Sequence, residues 1–346
     1  MSGTLLLHVD ADSFFAGVVM RHRPELASVP LAVVAHVFVA SANYPARARG
    51  VRGGMLVAEA LVGCPELVLV DTPRDEVDDV SDALFDLFRD SGLTVEPGSM
   101  EEAFLDTGTA DWGSAVGLAQ ALRSRVAGEL GITVSVGVGR TKLMAKLGSR
   151  AAKPNGLRIV GARREAGYRE RLPIADLWGV GGRTRERLRL AGVERIGDVD
   201  ALSEHELTRV CGTMMARRLR SVRDGTDDAT VNPVEGRTQL SAEGTISGFQ
   251  RRDWTPTELT RSCVERACHR AGRAGLSATG LTLTLRPREG APLTAKHREA
   301  TALGDAEAWA SRALAMLGEL DAPPLEGVRV TLTGLRHADD AEQTLF

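Results

Sequence analysis

The sequence predicts an α+β protein with more than one domain, and three observations carry that prediction. At 346 residues the chain is longer than a single hydrophobic core ordinarily serves. Short apolar runs with strand spacing, at 5–10, 103–105 and 133–139, are separated by helical patterns at 75–89 and 115–130. Beyond a stretch at 226–237 that lacks helical periodicity and reads as a linker, strand patterns at 280–286 and 327–335 flank a helical pattern at 305–320, which makes a second α+β module.

Charge narrows the function less by its total than by its distribution. The formal net charge of -3 argues against a generic nucleic-acid binder. Residues 140–195, however, hold 15 Lys/Arg against 5 Asp/Glu, a candidate phosphate-contacting surface, while residues 71–90 are acidic. The apolar run Leu5–Leu7 is broken at once by His8 and Asp10, and the apolar stretch at 30–40 falls short of the ~20 residues a bilayer span needs. A soluble cytoplasmic protein is expected, with no membrane partner. Cys64, Cys211, Cys263 and Cys268 show no zinc spacing and read as buried thiols.

Along the chain, Leu5–Asp10 reads as a buried strand that delivers Asp10, and Phe14–Val19 opens a helix ending near Arg23-Pro24. Residues 29–40 are strand-like throughout. Residues 42–55 are a glycine-punctuated turn carrying Tyr44 and Arg47, suited to an anion. In Ser99–Asp106 two adjacent carboxylates, Glu101 and Glu102, precede a strand-like Ala103–Leu105. Pairing that strand with Leu5–Asp10 gathers Asp10, Glu101 and Glu102, and three carboxylates so close repel one another unless cations hold them. Hard oxygen ligands suit Mg²⁺, and a two-metal phosphoryl-transfer centre is the obvious use; the plain alternative is a solvated acidic turn. Thr133–Gly139 is a further strand feeding a Lys/Arg-rich helix at 142–151, and the run Gly137–Lys142 fails the spacing of a phosphate-binding Walker loop. Lys153 follows on a Pro-Asn-Gly turn.

These residues resemble the Y-family translesion DNA polymerases, in particular the bacterial polymerase IV branch. His8–Phe15 resembles the family's first motif, Asn43–Arg47 with Gly50–Met55 its nucleotide-binding segment, Ser99–Asp106 its second acidic motif, and Ser135–Lys146 with Lys153–Gly156 its fourth. The resemblance implies a right-hand polymerase with a palm at 1–20 and 72–165, fingers at 21–71 and a thumb at 166–232. It further implies a ferredoxin-like little finger at 240–336 and a tail at 337–346. The implied reaction is two-metal nucleotidyl transfer directed by a template, used in lesion bypass and without proofreading, in a bacterial, nucleoid-associated monomer.

The resemblance assigns roles residue by residue. Asp10, Glu101, Glu102 and the carbonyl of Ala11 hold two Mg²⁺, for which Mn²⁺ substitutes; Glu101 stands where the family usually has aspartate, which puts the level of activity in question. Phe15 is the steric gate against a 2′-hydroxyl, and Tyr44, Arg47 and Lys153 grip the deoxynucleoside triphosphate. Leu177–Leu188 resembles a helix-hairpin-helix in which Gly179, Gly181, Arg183, Arg185 and Arg187 meet primer–template DNA. Arg251, Arg252, Arg286, Arg288, Lys296 and Arg298 are the little finger's phosphate contacts. Gln343, Leu345 and Phe346 resemble a peptide that docks on the sliding clamp, with the glutamine one position closer than usual. The alternative is a catalytically impaired, polymerase-like DNA-binding or scaffold protein in DNA repair.

Overall fold

A computed structural model describes residues 3–227, 230–233, 238–247, 252–320 and 323–337. In chain order the strands are β1 (Leu6–Ala11), β2 (Leu31–Ala35), β3 (Phe38–Ala42), β4 (Val68–Asp71), β5 (Thr94–Pro97), β6 (Glu102–Asp106), β7 (Val134–Gly139), β8 (Leu157–Ile159), β9 (Gln239–Thr245), β10 (Leu276–Pro287), β11 (Leu293–Leu303) and β12 (Leu325–His337). The helices are α1 (Phe14–His22), α2 (Tyr44–Ala48), α3 (Val57–Gly63), α4 (Arg74–Arg89), α5 (Trp112–Arg125), α6 (Lys142–Ala152), α7 (Ala162–Arg171), α8 (Gly182–Leu190), α9 (Glu204–Cys211), α10 (Thr213–Asp224), α11 (Pro256–Arg273) and α12 (Ala306–Glu319). The chain divides into two compact units, residues 1–21 with 75–233 and residues 22–74 with 234–346.

The first unit is built on a five-stranded sheet of order β5-β6-β1-β7-β8. Leu7 and Val9 are fully buried in one core with Leu84 and Phe88 of α4 and Ala115 and Ala119 of α5. Each of the Leu, Val and Phe side chains contributes roughly 1.5–3 kcal/mol when taken from water, so β1 is fixed to that side. The two-residue period of a strand then turns His8 and Asp10 to the other face of the sheet. There α6 packs, started by Thr141, whose hydroxyl caps the Met144 N–H. Leu143 and Met144 of α6 also belong to a second core with Ile174, Leu177, Leu188, Val199 and Leu219, which gathers residues 160–222.

In the second unit β2, β3 and β4 form a three-stranded sheet, order β3-β2-β4. Two expectations change here. The strand-like run 29–40 breaks into a hairpin, because His36 takes a left-handed φ of 57° and Ala35 pairs directly with Phe38. The turn read at 42–55 begins as the short helix α2, because Asn43 caps it through Oδ1 to the Ala46 N–H and Pro45 lies in its first turn. The C-terminal module has the element order β9-α11-β10-β11-α12-β12, a wholly antiparallel sheet of order β11-β10-β12-β9, and a core around Trp309, Leu283, Val330 and Val264. Its long helix α11 is opened by a capping box between Thr255 and Glu258. The cysteines are free, and no described helix is long and apolar enough to cross a membrane.

Candidate active site

The antiparallel register of β1 and β6 sets Asp10 opposite Glu102 and His8 opposite Phe104. Ligand atoms of His8, Asp10 and Glu102 lie within 4.8 Å of one another. Two lysines reach this group. Lys153 Nζ is 2.5 Å from Asp10 Oδ1 and donates to the Ala11 carbonyl at 3.0 Å. Lys146 Nζ, from α6, meets both oxygens of Glu102 at 2.7 and 2.6 Å. His8 Nε2 stands 3.2 Å from Glu102 Oε2. The imidazole contact and then Lys146 outweigh partial burial and hold the Glu102 carboxyl down to about 2, while burial pushes the His8 pKa below its ordinary value.

The expected trio is therefore only partly assembled. Glu101 precedes β6, its N–H donates to Ser99 Oγ at 3.2 Å, and its carbonyl accepts from the Ala11 N–H at 3.0 Å; its carboxylate is not in the group with Asp10 and Glu102. Asp12, two residues on from Asp10, is not part of the group either. Asp12 is buried and accepts from Thr133 Oγ1 at 2.9 Å, Ser135 Oγ at 2.8 Å and the Asn155 N–H at 2.8 Å. It ties β1, β7 and the Lys153 turn together and is consumed in doing so.

The other site residues fall on two elements, α1 and α2. Phe15 is half-buried near the start of α1, edge-on to Phe14 at 5.7 Å. Arg47 lies over the Tyr44 ring at 5.2 Å, and its Nε donates to the Ala42 carbonyl at 2.8 Å. Asn43, fully buried, fixes that segment by accepting from the Leu31 N–H and donating to the Leu26 and Val29 carbonyls. The terminal nitrogens of Arg47 have no hydrogen bond among the described residues, which leaves a planar fork for an anion.

The family model described as impB/mucB/samB matches residues 9–150. DNA polymerase IV of Pseudomonas syringae pv. syringae is 38% identical over 251 residues, which cover 71% of this chain and 71% of that protein. The chain belongs to the Y-family of DNA polymerases. Solved structures agree on the fold. The Y-family polymerase chimera Dbh-Dpo4(243-245)-Dbh matches with a TM-score of 0.73 at 22% identity, and DinB from Sulfolobus solfataricus with 0.70 at 20%, each over 95% of this chain and 98% of the other. The fold is the right-hand Y-family arrangement, and the C-terminal antiparallel module is of the little-finger type.

As a Y-family site, the cluster fits a divalent cation on its own chemistry. Asp10 and Glu102 supply carboxylate oxygens, and two ammonium groups already neutralise them in this structure. His8 Nε2 is buried and makes no hydrogen bond of ordinary geometry. His8, Lys146 and Ser149 were missed in the sequence; their signal is the even spacing of His8 and Asp10 on β1 and the three-residue spacing of Lys146 and Ser149 on α6.

The regions expected to meet DNA are also placed. Gly179 has φ +81°, and a Cβ there would come within 2.6 Å of Arg218 Nη1, so the loop needs glycine. Gly181 caps α8, and Arg183, Arg185 and Arg187 are exposed on it. Arg286 lies against Gly327, where a Cβ would meet Arg286 Nη2 at 2.5 Å. Arg252 and Arg288 are exposed, and Lys296 and Arg298 are exposed on β11 opposite Thr282 and Gly280. Arg251, Gln343, Leu345 and Phe346 lie outside the described residues.

Proposed function

We infer that this chain is a template-directed DNA polymerase of the translesion type, adding deoxynucleotides to a primer without proofreading. The observation that carries the reading is the register of Asp10 against Glu102 with Lys153 seated on Asp10 and the Ala11 carbonyl. Asp10, Glu102, Glu101 and the Ala11 carbonyl would hold the metal, two Mg²⁺ by the hardness of these oxygens, with Mn²⁺ able to replace them. Such ions supply charge stabilisation to the in-line displacement at the α-phosphate. The chain's own part is positioning. Lys153, Arg47 and the Tyr44 hydroxyl donate to triphosphate oxygens, so Lys153 exchanges Asp10 for the incoming anion. Phe15 packs beneath the sugar and leaves no room for a 2′-hydroxyl. Held this way, the reacting groups lose the freedom that makes the uncatalysed step slow.

The division into palm, fingers, thumb, little finger and tail is retained at the boundaries given above, with Gly179, Gly181, Arg183, Arg185, Arg187, Arg286 and Arg288 on the primer–template backbone. The tail residues Gln343, Leu345 and Phe346 dock on a sliding clamp, and the chain acts as a monomer in the bacterial cytoplasm. Primer extension on a defined template with Mg²⁺ tests the central reading. Extension lost in Asp10→Asn is the expected result; DNA and nucleotide binding with no extension by any form of the protein supports the scaffold alternative instead.

A further inference from the structure

We propose that a cavity between α6, α10 and the loop at 177–180 binds a nucleotide, with Arg218 as the partner of its phosphate. The site shares no residue with the group of His8, Asp10 and Glu102, and it adds a ligand that the polymerase reading does not call for.

The cavity measures about 450 Å³, within the roughly 300–1,000 Å³ of pockets that take small molecules. Leu143, Leu177 and Val222, all buried, give it apolar lining, and Trp178, still 42% exposed, adds an aromatic ring. Three charged residues share the wall, and two of them are already matched. Lys142 is paired with Glu96 at 2.5 Å. Asp227 is paired with Arg169, which also holds Glu165. Arg218 has no ion pair and no hydrogen bond among the described residues; its contact is with Trp178, its Cζ lying 5.4 Å from the ring centroid.

A guanidinium carries five N–H donors and keeps its charge. This one is half-buried, and burial draws its pKa below the ordinary arginine value, with Asp227 only partly opposing. The fold makes room for it. A Cβ on Gly179 would lie 2.6 Å from Arg218 Nη1, so the glycine that takes φ +81° also leaves the guanidinium its space. A charge partly stripped of water and given no acceptor costs stability, and an anion entering the cavity offsets that cost. The planar fork fits phosphate oxygens in pairs. Ser221, one turn further along the same face of α10, lines the cavity with a hydroxyl able to donate to the same group. A bare anion would leave the apolar and aromatic lining unused, whereas a base covers it. A nucleotide supplies both parts, either free in solution or as one residue of a DNA strand, and the phosphate is common to both sources.

The bland competitor is that water in the cavity solvates Arg218. The test uses the full-length protein in EDTA, so that no metal-bound nucleotide forms, and calorimetric titration with dAMP. Wild type should show one saturable site, with deoxyadenosine and inorganic phosphate each bound more weakly than dAMP. Arg218→Met should weaken dAMP binding by about tenfold or more, the scale of a lost hydrogen bond to a charged group. Arg218→Lys, which keeps the charge and loses the fork, should recover part of it, and Arg47→Met should leave it unchanged. If Arg218→Met does not fold, Trp178→Leu, which should weaken dAMP binding severalfold, decides the matter. The salt dependence of primer–template binding then assigns the source. A slope lower by about one unit in Arg218→Met identifies a DNA phosphate; an unchanged slope with the dAMP loss intact identifies a free nucleotide. No dAMP binding by wild type together with an unchanged slope overturns the site, and so does dAMP binding that Arg47→Met abolishes and Arg218→Met leaves alone. Equal affinities for dAMP and inorganic phosphate would overturn the nucleotide assignment. A wild type that binds dAMP through Arg218 yet extends no primer would refute the polymerase reading and leave this site standing.

Discussion

Lys153 Nζ lies 2.5 Å from Asp10 Oδ1, so the cation nearest to that carboxylate is the protein's own ammonium group. It also donates to the Ala11 carbonyl, the other β1 oxygen expected to hold metal. Lysine and metal therefore compete for Asp10 until a triphosphate draws the lysine away. Binding of nucleotide and metal should be cooperative for that reason.

Lys153→Met removes the competitor and the phosphate partner together. Mn²⁺ should bind the nucleotide-free variant about three- to tenfold more tightly, while its nucleotide affinity falls by about tenfold, the usual scale for a charge-assisted contact. Calorimetric titration of each ligand separates the effects. Weaker Mn²⁺ binding by the variant would show that Lys153 supports the metal site instead of screening it.

Much of this site was legible because strands have a strict period. Two short apolar runs next to acids, Leu5–Asp10 and Ala103–Leu105, read as strands whose pairing gathers the carboxylates, and one residue of slip would have buried them. Rank among the acids was not legible. Asp12 and Asp10 look alike in the sequence, and only the hydroxyls of Thr133 and Ser135, brought alongside by β7, show that Asp12 is structural. His8 reads as a core residue within an apolar strand, since its partner Ser149 is 141 positions away. The hairpin at 31–42 was hidden because His36 and Val37 carry none of the Gly or Asn signal that such a turn normally shows.

Phe15 is only half-buried, its ring set at a steep angle to that of Phe14, so part of its side chain is open to a sugar. Phe15→Ala should raise ribonucleotide incorporation relative to deoxynucleotide by about tenfold or more, a factor equivalent to ~1.4 kcal/mol of lost steric exclusion. Competition between the two nucleotide types on one template measures it. An unchanged ratio would return Phe15 to the core.

On α8 the three exposed arginines are not equivalent. Arg183 and Arg187 are four residues apart and share a face, whereas Arg185 points away by about 200°. Neutralising Arg183 or Arg187 should lower DNA affinity equally on unrelated sequences and reduce the salt slope by roughly one unit each. The same change at Arg185 should lower the slope less. Three equal slopes would mean that DNA does not lie along one face of this helix.

Glu258 links the little-finger module to pH. Its carboxyl is drawn down to about 2 from 4.5, first by Arg252 and then by the Thr255 N–H and hydroxyl. A depressed carboxylate stabilises the fold fully above its unfolded pKa and loses that contribution as pH falls toward the folded one. The melting-temperature gap between wild type and Glu258→Gln should be widest above pH 4.5 and close as pH drops toward 2. High salt should narrow it at every pH, because the group is exposed. A gap that widens in acid would contradict the assignment.

Glu101 is where this chain departs from the pattern it otherwise follows, with one methylene more than the usual aspartate. The backbone cannot easily yield to the longer side chain. The Glu101 N–H is engaged by Ser99 and its carbonyl by the Ala11 N–H, and the pairing of Asp10 with Glu102 next to it is in register. The extra length, about 1.5 Å, must then be absorbed by the side chain itself. Its carboxylate lies outside the group formed by His8, Asp10 and Glu102, as that constraint predicts. Misplacement near 1 Å costs on the order of a hundredfold in rate, and it acts on chemistry more than on binding. Wild type should therefore bind primer–template and nucleotide normally yet incorporate slowly with Mg²⁺, with Mn²⁺ restoring part of the rate. Glu101→Asp should accelerate single-turnover incorporation by about ten- to a hundredfold at unchanged DNA affinity. If wild type proves fast and Glu101→Asp slows it, the site has been rebuilt around glutamate and this account fails.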